Sequence, residues 1–174
     1  MNQTIQNMLQ RRSIRKFKST PVPSELVDQV VEAGLYAPSG KDRQGTKILV
    51  IDSKEWHDRI SRDNCKIGGW KDGFDPFYGA PVILVVLADK SFPTCVYDGS
   101  LTIGNMLLAA HSLGLGACWI HRAKEEFEQD DYKQLLRSLG IEGEWEGIGH
   151  VALGYADQTP ATPQRKEGRV YHVK

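Results

Sequence analysis

Between residues 10 and 17 the chain reads QRRSIRKF, four cationic side chains set around Ser13 and the apolar pair Ile14 and Phe17. In an extended segment successive side chains point to opposite faces, so Arg11, Ser13 and Arg15 share one side while Arg12, Ile14 and Lys16 share the other. Two guanidinium forks with a hydroxyl between them make a phosphate grip, because each fork gives paired charge-assisted hydrogen bonds to phosphate oxygens. The plainer reading is a solvated basic face, or charges that complement a helix C-terminus. A second polar cluster, APSGKDRQ at residues 37–44, reads on composition as a turn and a solvated loop.

Other chemistries are weaker. Cys118 could be a thiol nucleophile paired with His121 or His150, but the apolar strand around it favours a buried, inert cysteine. His121 follows Cys-Trp-Ile at a strand end, where side chains and backbone amides often face a ligand. His111, on an apolar helix, reads as a hydrogen-bonded core histidine. The chain has no Walker A sequence, no HExxH and no GxSxG elbow, and GLGAC lacks the remaining glycine of a dinucleotide fingerprint. The five histidines show no metal-ligand spacing.

Bulk properties bound the remaining options. The 174 residues suit one domain over 1–174, with no linker or repeat, and balance 22 Lys and Arg against 22 Asp and Glu. No overall field therefore draws the chain to nucleic acid or to an anionic membrane, and any anion site is local. Three cysteines without a CxxC spacing argue against a disulfide framework or a structural zinc, and fit a reducing cytosol. The N-terminus lacks an apolar signal core, and the longest apolar run, residues 80–88, is too short to span a bilayer, so a soluble cytoplasmic protein is expected.

Periodicity gives the elements that must position these residues. A short helix over about 2–10 ends at the arginines. A second helix, capped by Ser24, carries the stripe Leu26, Val27, Val30, Val31 and Leu35, and stops at Pro38 and Gly40. TKILVID is a strand, and residues 82–88, apolar throughout, form a central strand covered on both faces. Asp98–Leu113 reads as a helix that is apolar around most of its girth and stopped by Gly114, which places it in the core or in a subunit interface. A strand follows in GLGACWIHR, then one helix from about Lys124 to Leu139 with Gly140 as terminator, then a strand over 147–155. Val170, Tyr171 and Val173 end a polar tail and should pack on something.

Taken in order, RRSIRKF, GLYAPSGKDRQ, GAPVILVV, AAHSLGLGACWIHR, GHVALGY and PQRK resemble the FMN-dependent nitroreductase family from about Arg11 to Val170. The resemblance implies an α+β fold, a mixed and mainly antiparallel central sheet flanked by helices, built as an intertwined homodimer with two FMN in the interface. It implies that Arg11, Arg12, Ser13 and Arg15 approach the FMN phosphate and ribityl chain, with Arg165 and Lys166 closing on the same phosphate. Pro38, Ser39, Asp42 and Gln44 match positions that reach the flavin from the partner, and Trp119, Ile120, His121 and Arg122 match the strand end beside the isoalloxazine. Asp42 stands where the family usually has Asn; an ionised Asp accepts hydrogen bonds but cannot donate, so it either accepts from the flavin or the ribityl hydroxyls or faces away. Trp70, Phe74, Phe77 and Tyr78 fall in a region that often forms the substrate side of the pocket, although packing aromatics fit equally well.

The activity so implied passes hydride from NADH or NADPH through flavin N5 to a small-molecule electron acceptor, a nitroaromatic, a quinone or a similar electron-poor compound, with no catalytic side chain and no metal. The alternatives are a flavin protein of the same fold with another reaction (flavin reduction, dehalogenation or dehydrogenation) and a nonenzymatic anion-binding module.

Overall fold

The computed structural model describes residues 1–174. Four strands, β1 (Thr46–Ile51), β2 (Val82–Asp89), β3 (Gly116–Ile120) and β4 (Trp145–Gly154), form one sheet in the order β1-β2-β4-β3. Every named pair is antiparallel. The sheet gains a parallel contact where Ser13 bridges to Ala117 and Ile14 N–H donates to the Ala117 carbonyl (3.0 Å). Phe17 then bridges antiparallel to Ala156. The N-terminal segment is thus stitched along the outer edge of β3, and the fold is the expected mixed, mainly antiparallel α+β arrangement.

Helices cover both faces of the sheet, which is why β2 carries no polar alternation. Its residues Ile83, Val85 and Leu87 pack into one core layer with Ile60, Phe127, Tyr132 and Leu136, from α3 (Lys54–Gly68), α5 (Ala123–Phe127) and α6 (Asp130–Ser138). Leu84, Val86 and Ala88 pack into the other with Val27 and Val30 of α2 (Ser24–Leu35) and Ile103, Met106 and Ala110 of α4 (Cys95–Ser112). Each such buried aliphatic side chain contributes about 1.5–3 kcal/mol.

Several boundaries differ from the sequence reading for local reasons. Ser24 is the first residue of α2 rather than its cap; Pro23 occupies the cap position, and no side chain closes that end. The long helix α4 starts at Cys95, a turn before Asp98, because Asp98 is buried in its first turn and accepts from the Thr94 hydroxyl (2.8 Å). The helix is apolar on more than its buried side: Val96, Tyr97 and Leu101 lie exposed while Ile103, Met106 and Ala110 face the core. The single helix expected from Lys124 to Leu139 is two, broken so that Phe127 and Tyr132 both turn inward, with their rings 5.1 Å apart. Helix α3 has no counterpart in the sequence reading. It is strongly polar and buries only Ile60, Asn64 and Cys65, so its apolar stripe is too thin to read; its ends are nonetheless well marked, by Ser53 accepting from Trp56 N–H and by left-handed Gly69. Gly114 and Gly140 end α4 and α6 in the left-handed conformation, as expected. No helix is long and apolar enough to cross a membrane.

The closest approach of helix to sheet is at Gly147 of β4, where an added Cβ would lie 2.1 Å from the Ala123 carbonyl oxygen. Backbone cannot move aside as a flexible side chain can. Gly147→Ala is expected to cost about 3 kcal/mol and to lower the melting temperature by about 6–12 °C, on the scaling for a chain of this size. Gly140→Asn, at an open left-handed cap that asparagine tolerates, should move it by less than about 3 °C. Thermal unfolding followed by circular dichroism checks both, and equal shifts would remove the close approach as the cause.

Candidate functional site

The arginine segment begins where α1 (Gln3–Gln10) ends. Arg11 caps the helix, its N–H donating to Asn7, and the backbone turns extended. Burial of Ile14 and Phe17 in the core then fixes which way the intervening side chains point. Arg12 Nη1 folds back to donate to the carbonyls of Leu9 and Arg11, both at 2.7 Å, so part of its charge closes the helix end. Even so, Arg11 Nη1 and Arg12 Nε are buried with no partner in the chain. A buried guanidinium N–H without an acceptor is costly, and each of these two suits an anion.

Two neighbouring groups register this positive field. Burial pushes the Cys118 thiol up, while Arg15, Ser13 and Arg11 act against that, which places the three expected grip residues around one point of β3. Burial also pushes His111 down, and Arg11 and Arg12 add to the effect. Cys118 is thus held as a protonated thiol and not as a nucleophile.

β3 carries the site onward. Beyond Trp119 and buried Ile120 the chain leaves the sheet at exposed His121 and turns through Arg122, which takes the left-handed conformation (φ +83°) and starts α5. Neither the His121 N–H nor the Arg122 N–H donates to a backbone carbonyl. Two successive free amides ending in a left-handed residue make a concavity that favours an electron-rich acceptor. Arg122 pairs with Glu125 at 2.9 Å. Burial works against the Glu125 charge, but a backbone hydrogen bond and Arg122 hold its carboxyl below the usual range.

Behind this corner lies a polar cluster that sequence reading missed. Asn64 Nδ2 donates to the His121 carbonyl (2.7 Å) and to Glu126 Oε1 (2.8 Å). Glu126 Oε2 lies 2.7 Å from His150 Nε2, and both side chains are completely buried. His150 Nδ1 lies 3.4 Å from the Ile120 carbonyl. The available signal was one histidine inside the otherwise apolar strand GHVALGY; Glu126 and Asn64 sit in polar stretches that reveal nothing of their burial.

The remaining expected residues lie elsewhere on the same chain. Ser39 Oγ accepts from Gln44 N–H (2.9 Å), and Gln44 Nε2 donates to Asp42 Oδ1 (3.1 Å). Gly40 N–H donates to buried Asp98 (3.0 Å), tying this loop to the first turn of α4. Pro38, Asp42 and Gln44 are exposed, and Lys41, Asp42 and Gln44 all have positive φ. The arginine segment instead meets the far end of α4, where Asn7 donates to the Leu108 carbonyl and His111 feels Arg11. At 1.5 Å per residue the two ends are roughly 20 Å apart, so one chain does not bring Pro38–Gln44 to its own arginines. Arg165 and Lys166 lie on the exposed tail. Of the four aromatics, Phe77 is fully buried against His150 (5.3 Å), whereas the rings of exposed Trp70 and Phe74 lie 5.5 Å apart, tilted by 52°, with Tyr78 edge-on to Phe74.

Comparison with known proteins supplies the context for this arrangement. The model of the Nitroreductase family matches residues 8–65 and 70–155, a span that takes in the arginine segment, the 38–44 loop and the β3 corner and stops short of Arg165 and Lys166. A Methanothermobacter thermautotrophicus protein carried under the provisional name NADH dehydrogenase/NAD(P)H nitroreductase is 33% identical over 87% of this chain and 76% of its own. An NAD(P)H-dependent FMN reductase of Bacillus subtilis is 29% identical over 99% of this chain and 74% of its own. The crystal structure of a Bacteroides fragilis nitroreductase with bound FMN superposes with a TM-score of 0.87 at 26% identity, covering all of both chains. With the sheet, both helical layers and three of the four expected site segments inside the matched span, the chain belongs to the Nitroreductase family.

Proposed function

We propose that this chain binds FMN and uses it to pass electrons from NADH or NADPH to an electron-poor acceptor, a nitroaromatic, a quinone or a related small molecule. The observation that carries the reading is the pair of buried, unpartnered guanidinium nitrogens on Arg11 and Arg12. They lie on the strand edge that leads to the free amides of His121 and Arg122. That spacing suits a ligand with a phosphate at one end and a ring of hydrogen-bond acceptors at the other. FMN supplies the two-electron chemistry, and no side-chain nucleophile or base is required.

The work of the chain is binding and orientation. Arg11, Arg12 and Arg15 with the Ser13 hydroxyl grip the phosphate. The amides of His121 and Arg122 face the acceptor edge of the ring, while Trp119 and Ile120 set the direction of the strand that presents them. Asp42, hydrogen-bonded to Gln44, is an acceptor in this loop and serves ribityl hydroxyls better than ring carbonyls. Exposed Trp70 and Phe74 offer a stacking surface for an aromatic acceptor.

The same reading calls for two chains. Pro38, Ser39, Asp42 and Gln44 stand at the opposite end of α4 from the arginines, and exposed Val96, Tyr97 and Leu101 share that helix with them. The tail, exposed from Ala161 to Lys174, carries Arg165, Lys166 and three large apolar residues. In a homodimer these unpartnered features are covered, and each FMN is held by both chains. The B. subtilis FMN reductase favours one second reading, in which free flavin is the acceptor and reduced flavin is the product released.

Three measurements test these statements. Arg11→Ala with Arg15→Ala is expected to weaken FMN by about 1.5–3 kcal/mol per lost charge-assisted bond while leaving riboflavin, which lacks the phosphate, nearly unaffected; calorimetry that finds equal losses removes these arginines from the phosphate. Tyr97→Asp with Leu101→Asp should shift the sedimenting species from dimer to monomer and lower FMN occupancy together; a monomer that keeps its FMN refutes the shared site. Anaerobic mixing with NADH and then NADPH should bleach the bound flavin, and steady-state rates with nitroaromatic, quinone and free FMN separate the two acceptor readings. Absence of bleaching by either donor sinks both.

A further inference from the structure

Three elements converge on two consecutive peptide groups at the end of β3. Asn64 comes from α3, Glu126 from α5 and His150 from β4, and all three side chains are completely buried. Between them they engage the carbonyls of Ile120 and His121. A carboxylate and an imidazole are poor material for a core: hydrophobic residues of the same volume usually serve packing as well or better. Their placement needs a reason beyond filling space.

Peptide geometry supplies it. In a trans peptide the carbonyl and the following N–H point in opposite directions within one plane. Asn64 draws the His121 carbonyl inward and so turns the Arg122 N–H outward. His150 beside the Ile120 carbonyl does the same for the His121 N–H. Glu126 links the other two: Oε1 accepts from Asn64 at 2.8 Å, and Oε2 lies 2.7 Å from His150 Nε2, a close contact that is not aligned as a hydrogen bond. The left-handed turn at Arg122 (φ +83°), uncommon for a residue with a side chain, is the conformation this hold imposes.

We propose that Asn64, Glu126 and His150 are positioning residues that aim the free amides of His121 and Arg122 at the flavin ring and thereby set its reduction potential. The proposal rests on the FMN reading above. Hydrogen-bond donors fixed in a dry corner favour the redox state that carries more electron density on the atoms they face. Reduced flavin is that state, so misaimed amides weaken reduced FMN more than oxidised FMN. The phosphate grip lies at the other end of the ligand and acts on both states alike.

The test compares the FMN-loaded wild-type protein with Asn64→Leu, Glu126→Gln and Arg15→Ala, reading the affinity for oxidised FMN and the midpoint potential of bound FMN. Asn64→Leu should lower the affinity ratio of reduced to oxidised FMN about tenfold, a fall of about 30 mV for a two-electron couple. Glu126→Gln, which still accepts from Asn64 and can donate to His150, should stay within twofold of wild type. Arg15→Ala should weaken FMN without moving the potential. An unchanged potential in folded, FMN-loaded Asn64→Leu overturns the proposal and leaves the FMN reading intact, whereas wild-type protein that binds no FMN overturns the reading and the proposal with it. If Asn64→Leu does not fold, the Asn64 side-chain amide resonance of the wild-type protein decides: it should shift as FMN is added, although Asn64 has no access to the ligand, and an unmoved resonance overturns the proposal.

Discussion

β4 is paired along both edges and covered on both faces, so almost nothing about it can vary independently of its neighbours. β2 and β3 flank it, α5 lies against Gly147, Trp119 against Gly149, and Phe17 with Pro81 against Gly154. At each of those glycines an added Cβ would lie within 2.6 Å of a neighbouring atom. The strand therefore sets how near α5 stands to the sheet, where the N-terminal segment can be stitched on, and how the corner after Ile120 is shaped. The one ionisable side chain that β4 buries at its centre, His150, finds a partner because Gly147 lets α5 approach closely enough to deliver Glu126. Packing and polar chemistry here are one constraint.

The site inherits this rigidity unevenly. The β3 corner and the arginine segment are anchored to the sheet through Ser13, Ile14 and Ala117. The loop at residues 38–44 is anchored to helix α4 through Asp98 instead. The two segments stand at opposite ends of α4, an 18-residue helix whose Ile103, Met106 and Ala110 are packed against the sheet. Such a layout keeps the two segments accurately spaced in every copy of the chain, which is what the proposed two-chain site demands.

How far this was visible beforehand follows from how local each signal is. The unbroken apolar run of β2 announced a strand with two covered faces, and an extended reading of the arginine segment set Arg11, Ser13 and Arg15 against Ile14, although Phe17, on the arginine side of that alternation, is buried with Ile14. Both depend only on neighbours in sequence. Helix α3 escaped notice because its burial is narrow and its faces are mostly charged. The break between α5 and α6 escaped because it serves the long-range docking of Phe127 and Tyr132, which no local pattern encodes. Asn64, Glu126 and His150 are 24 to 86 residues apart in the chain and meet only when three elements pack, so their association could not be read from spacing. The resemblance carried over the segments proposed to meet a ligand and was silent on the side chains that hold those segments in place.

Lys41, Asp42 and Gln44 each adopt a backbone conformation in which glycine would be the easier residue. Such conformations cost of order 1 kcal/mol or more for residues bearing a side chain, and the chain nevertheless places ordinary side chains at all three. Glycine there would relieve the strain but enlarge the freedom of the unfolded loop and remove the Gln44–Asp42 contact. The loop thus marks a place where thermal robustness and specificity pull in opposite directions: selection for heat resistance alone would be drawn to these positions, and what it gained would be taken from whatever the loop recognises.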